Sequence, residues 1–97
     1  MDKRIRLNLL YDYYKDFFTK KQQSYFEDYY YSNYSLGEIA EANNVSRNAI
    51  HNQLKIVEDR LEEMENILNL VDKKAKVMSM LEDEISKELL EKIEEIL

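Results

Sequence analysis

Ninety-seven residues are enough for one domain with an appendage, and the formal charge of −6 argues against a generally basic, nucleic-acid-coating surface. No cysteine is present, which excludes a disulfide framework and a thiolate metal site. No apolar run is long enough to span a bilayer, and the N-terminus lacks a secretory apolar core, so a cytoplasmic protein without membrane contact is expected. Proline is missing and Gly37 is the only glycine, so the chain has few places to turn and reads as all-α with long helices.

The first helix is expected over residues 3–18, where Ile5, Leu9, Leu10, Tyr13, Tyr14, Phe17 and Phe18 form a broad apolar stripe at helical spacing. Lys3, Arg4 and Arg6 near its start read as solvating charges. Thr19 followed by Gln22 is a capping box that opens a second helix over 20–32, with Tyr25, Phe26, Tyr29 and Tyr30 on its apolar side. All eleven aromatic residues lie between Tyr11 and Tyr34. That clustering suits a core with tyrosine hydroxyls at its edge better than a platform for single strands.

The stretch from Ser35 to Val57 carries the strongest pattern. Ser35 and Glu38 make a second capping box, starting a helix over 36–43 whose buried side is Ile39 and Ala40. Asn43 and Asn44 interrupt it, because asparagine tolerates the left-handed conformation that ends a helix. Val45 reads as the apolar plug of the turn and Ser46 as the next cap. Ile50, Leu54 and Val57 then give a buried stripe at i, i+4 and i+7. Two short-coupled helices of this kind form a helix-turn-helix, whose second helix can enter a DNA major groove.

The free face of that second helix holds Arg47, Asn48, His51, Asn52 and Lys55 on an arc roughly 140° wide at 100° per residue, beside the Ser46 cap. Arginine can grip guanine through two hydrogen bonds, asparagine does so with adenine, and lysine reaches phosphates. A plain solvated face is the alternative, and Glu58, Asp59 and the absence of a turn glycine weigh toward it. Residues 1–60 carry nine basic and nine acidic side chains, whereas residues 61–97 carry five and eleven. The helix-turn-helix half is therefore neutral, and its non-specific affinity for phosphates should be weak.

From Ser46 onward no strong stop signal occurs. Leu61, Met64, Leu68, Val71, Ala75 and Met78 continue the stripe as a heptad seam, expected to pair two copies as a coiled-coil homodimer. One helix over residues 46–97 would be about 78 Å long. The alternative is a break near Asn69–Asp72, with a first segment over 46–69, Asp72 capping a new helix, and a fold-back. The organisation expected is thus a helix-turn-helix domain over 1–60 and a C-terminal helical extension over 61–97. The tail from Ile85 to Leu97 is amphipathic but acidic, unsuited to an anionic membrane. His51 is the only histidine, and the acidic runs accompany neither a phosphate loop nor a nucleophile, so no enzyme, metal, cofactor or small-molecule substrate is expected.

The segment from Leu10 to Glu65, above all FFTKKQQSYFEDYY followed by YSLGEIAEANNVSRNAI, resembles the YlxM-type family of small bacterial helix-turn-helix proteins and, more distantly, the DNA-binding region 4 of sigma factors. The resemblance covers a little over half the chain and places Ser46, Arg47 and Ala49 in the turn and recognition helix. Asn43 departs from the aromatic or leucine common there, implying a looser turn. Genes of that family typically neighbour those for the signal recognition particle GTPase and its receptor. The resemblance thus implies a regulatory or accessory role in protein targeting. Two classes stay open: a dimeric DNA-binding regulator, or an interaction module for signal recognition particle RNA or protein.

Overall fold

The computed structural model describes residues 2–97, and every regular element among them is helical. The helices are α1 (Lys3–Tyr14), α2 (Lys20–Tyr30), α3 (Leu36–Asn43), α4 (Arg47–Leu68), α5 (Leu70–Leu81) and α6 (Lys87–Ile96), with a single 3₁₀ turn, Lys15–Phe17, between α1 and α2. None of them is long and apolar enough to cross a membrane. The all-α, helix-turn-helix reading of the sequence holds.

The expected caps form with the expected partners. Thr19 Oγ1 accepts from the Gln22 N–H at 3.1 Å while the Gln22 side chain returns to the Thr19 N–H. Ser35 and Glu38 close the same reciprocal box on α3. Hydrogen bonding from the Ser35 N–H and hydroxyl holds the Glu38 carboxyl below its ordinary pKa. Ser46 accepts from the Ala49 N–H at 3.0 Å to begin α4.

The core gathers around α4, against which α1, α2 and α3 all pack. Ile39, Ala40, Ile50, Leu54 and Val57 are buried as their spacing requires. The first helix differs from expectation. It ends at Tyr14, because Phe18 is extended (φ −104°, ψ 156°) and leads straight into the Thr19 cap. Its inward side is Leu7, Leu10, Tyr11 and Tyr14, and Phe18 beyond it is also buried, whereas Ile5, Leu9 and, in the 3₁₀ turn, Phe17 are exposed. The apolar stripe is broad enough that periodicity did not identify the inward side. The basic residues near its start also do more than solvate. Arg4 donates to the carbonyls of Tyr29 and Tyr30 at 3.4 and 3.1 Å and lies over both rings, so it serves the open C-terminus of α2. Arg6 forms a two-bond fork on Glu62 at 2.8 and 2.9 Å.

Four tyrosines at the edge of the core donate to carboxylates: Tyr11 to Glu27, Tyr14 to Glu65, Tyr30 to Glu58 and Tyr31 to Asp12. Burial and these acceptors raise all four hydroxyl pKa values, those of Tyr14 and Tyr31 to about 12. A raised folded-state pKa means that the unfolded chain loses these protons first. Stability from the pairs is complete below pH 10, the unfolded value, and is lost as pH climbs toward 12. Thermal unfolding followed by circular dichroism should hold steady from pH 7 to 9 and fall steeply beyond 10, together with the rise of tyrosinate absorbance. A melting temperature unchanged at pH 11 contradicts this.

Past the helix-turn-helix the chain neither runs straight nor starts its new helix at Asp72. Asn69 alone sits between α4 and α5, in the left-handed conformation (φ 54°, ψ 29°), and the overall extent is 52 Å rather than the length of one rod. Asp72 lies in the first turn of α5, ion-paired with Lys76 at 2.9 Å. The capping role falls to Glu65 of α4, a buried carboxylate that accepts from the N–H groups of Val71 and Asp72 at 3.2 and 2.9 Å and from the Tyr14 hydroxyl at 2.6 Å. It thereby satisfies donors that the start of a helix otherwise leaves open. α5 rests on α1 and α6 rests on α5, with no fully buried residue in either.

The heptad seam is consequently divided. Leu61 is wholly buried in the chain's own core, so it is not free to meet a second copy, and Met64 and Val71 pack against that core. Leu68 and Ala75 are exposed and Met78 is half-buried. α4 continues without interruption across residues 60 and 61.

Candidate nucleic-acid interface

The turn between α3 and α4 is built by backbone geometry, and asparagine substitutes for the missing glycine. Asn44 takes the left-handed conformation (φ 55°, ψ 43°). The Val45 N–H donates back to the Ala40 carbonyl at 3.1 Å and the Asn44 N–H to Glu41 at 3.4 Å, the paired bonds of a Schellman stop. Asn43, where the family resemblance implied a looser turn, stays helical and its side-chain amide donates to the Ile39 carbonyl at 2.7 Å. Val45 is not a plug: it is about one-third exposed and borders an open groove with Tyr25 and Ala49.

Burial of Ile50, Leu54 and Val57 fixes the rotation of α4 about its axis, and this exposes the opposite face. Arg47, Asn48, His51, Asn52 and Lys55 are all exposed, as is the Ser46 cap. The five side chains therefore present one continuous surface beginning at a helix N-terminus, where open N–H groups favour an anion. Lys55 is tethered by Asp59 of the next turn at 2.9 Å, and that hydrogen bond raises its pKa. Both groups are largely solvated, so the pair is screened by water and gives way readily to a phosphate. Arg47 heads the surface.

All of residues 1–97 match the model of the family UPF0122, described as "Putative helix-turn-helix protein, YlxM / p13 like". The chain belongs to that family. Among its curated relatives, UPF0122 protein GWCH70_1086 of a Geobacillus species is 39% identical over 105 residues, covering 99% of this chain and 96% of the relative. UPF0122 protein BH2485 of Halalkalibacterium halodurans is 38% identical over 91 residues, covering 91% and 84% respectively. UPF0122 protein Lm4b_01818 of Listeria monocytogenes serotype 4b is 43% identical over 89 residues, covering 89% and 81%. The family is described as one of helix-turn-helix proteins, and the match extends through α5 and α6, beyond the segment that carried the sequence resemblance.

Sequence reasoning missed neighbours of the exposed α4 face that come from other helices. Lys3 of α1 lies 3.5 Å from Glu58, and Tyr29 and Tyr30 of α2 stand beside them. The available signal was the spacing of His51, Lys55 and Glu58 at i, i+4 and i+7, which places Glu58 on the flank of the same face.

Proposed function

We propose that the protein is a cytoplasmic DNA-binding regulator that reads base edges in the major groove with the N-terminal half of α4. The observation carrying this reading is the exposed arc of Arg47, Asn48, His51, Asn52 and Lys55 on the second helix of a helix-turn-helix. Ser46 and the start of α4 would seat a phosphate, Arg47 and Asn48 would reach bases, and Lys55 would hold the backbone. Two copies would present two such helices to half-sites. Leu68, Ala75 and Met78, with the exposed Val77 and Met80 of α5 and Leu89 and Ile96 of α6, offer the apolar surface for that pairing.

The balanced charge of residues 1–60 and the Lys55–Asp59 pair favour modest phosphate affinity, which keeps a second reading in play: the same face contacting signal recognition particle RNA or protein. The test is fluorescence anisotropy with selected genomic duplexes and with particle RNA and protein at matched salt. Arg47→Ala should cost about 1–3 kcal/mol at a selected DNA site and relax its base preference. Lys55→Ala should weaken every duplex alike and lower the salt slope by about one unit. Absence of binding by the parent to any duplex at low salt overturns the DNA reading. Binding to the particle that depends on the same residues moves the function there. Leu68→Glu should keep the fold and, if the two-copy arrangement is right, shift sedimentation from dimer to monomer.

A further inference from the structure

Past Asn69 the chain forms an antiparallel hairpin of α5 and α6. Lys74, in the second turn of α5, shares an open surface with Glu91, Glu94 and Glu95 near the end of α6, and its ammonium lies 5.9 Å from the centre of the Tyr13 ring of α1. The Tyr13 hydroxyl donates to the carbonyl of Leu97. That side of the hairpin faces α1. Helical spacing turns Leu70, Val77 and Met80 of α5 and Leu89 and Ile96 of α6 to the other side, where all five are exposed, Met80 to 76% and Ile96 to 83%. Helices of 12 and 10 residues are marginal in water without packing, and neither α5 nor α6 holds a fully buried residue. The two helices are also oppositely charged. α5 carries three lysines and one aspartate, net +2, whereas α6 carries two lysines and four glutamates, net −2. Lys73 stands between Leu70 and Val77 on the α5 surface and makes no ion pair among the described residues.

We propose that a second copy of the chain covers this face, the two hairpins forming a four-helix bundle in which α5 of each copy packs on α6 of the other. This rests on the two-copy reading above and adds its geometry. Two aligned antiparallel hairpins can meet face to face about a two-fold axis in two ways. With the axis across the helices, α5 meets α5 and α6 meets α6, so like charges oppose at both contacts. With the axis along the helices, α5 meets α6 twice, and +2 faces −2 each time. Flanking charges set partner choice and orientation in helical assemblies, and here they select the second arrangement. That axis leaves every residue at its own height, so positions level within one hairpin are also level between copies. Lys74 is level with the last turn of α6, which sets Lys73 of one copy against Glu95 of the other. Counting back along antiparallel helices of equal rise then brings Met80 against Leu89. Each contact occurs twice, as a two-fold interface requires.

Sedimentation equilibrium of the full chain reads this contact directly. Lys73→Glu and Glu95→Lys should each raise the dimer dissociation constant about tenfold or more, because the reversed charge meets its like at both contacts. An equimolar mixture of the two variants should recover the parent's dimer, since each altered edge then meets its complement. Both residues are exposed, so the circular dichroism spectra should match the parent's. The chain has no cysteine, and introduced thiols therefore report proximity without background. Met80→Cys mixed with Leu89→Cys should give a disulfide-linked heterodimer on mild oxidation. Val77→Cys alone should stay unlinked, although it lies near the middle of α5, where a pairing of α5 with α5 would bring two copies together. Self-linking of Val77→Cys, dissociation constants unmoved in the single charge variants, or a mixture that fails to recover the dimer each overturns the arrangement and leaves the two-copy reading standing. A parent chain that is monomeric at every concentration overturns both.

Discussion

Leu61→Glu should unfold the protein, and not merely separate two copies. Leu61 has no exposed surface and lies within the cluster formed by α1, α2 and α4. Glutamate there removes a core side chain and places a charge at a position with no exposed surface. Either change alone is among the largest single-residue effects, and together they should cost about 4–5 kcal/mol or more. Domains of this size are held by about 5–15 kcal/mol in total, so most or all of the folded population should be lost at ordinary temperature. Circular dichroism should show a much reduced helical signal with no cooperative melt. A well-folded, fully helical Leu61→Glu variant that is simply monomeric would place this residue in an interface and overturn the burial argument. Leu68→Glu is the informative contrast, because Leu68 follows the same heptad but is exposed.

Glu65→Ala should be nearly as damaging, by a different mechanism. The Glu65 carboxylate is only 5% exposed, yet it is fully used: by the Tyr14 hydroxyl on one side and by two N–H groups of α5 on the other. Truncation orphans three donors at once, removes a negative charge from a helix N-terminus, and leaves a void beside Tyr14. Each unsatisfied buried donor costs about 1–3 kcal/mol, partly recovered if water enters. A net loss of about 3–4 kcal/mol is the expected result, measured as a lowered urea midpoint. Glu65→Gln should fall between, because the amide oxygen still accepts but its NH₂ confronts one of the N–H donors. Hydrogen exchange should show α5 and α6 opening first, since their direction depends on this junction and neither holds a fully buried residue. A Glu65→Ala midpoint matching the parent's would mean that packing against α1 alone sets the course of α5.

What could be read directly from the sequence is what neighbouring residues decide among themselves. The three caps at Thr19, Ser35 and Ser46 each couple a side chain to a backbone N–H three residues away, a geometry any helix start provides. The exposed arc on α4 was legible for the same reason. Its five residues lie on one helix, and once Ile50, Leu54 and Val57 point inward the angular position of Arg47 to Lys55 follows. The stop at Asn44 likewise needs only a residue at ease in the left-handed region.

What the tertiary structure decided is where partners lie far apart in the chain. Helical periodicity gave α1 a wide apolar stripe but no inward direction. Leu7 and Tyr11 are inside, and Ile5, Leu9 and Phe17 outside, because α4 and α2 press on one side of it. The heptad pattern after Leu61 is real as a pattern, yet a buried carboxylate and one left-handed asparagine turn the chain at Asn69. The bonds that hold that turn join Glu65 to Tyr14, 51 residues earlier. No local signal separates Glu65 from the solvated glutamates around it. The flank of α4 around Glu58 shows the same limit. Glu58 was visible as an acidic residue on α4, but its relation to Lys3 and Tyr30 arises only when α1 and α2 pack against α4.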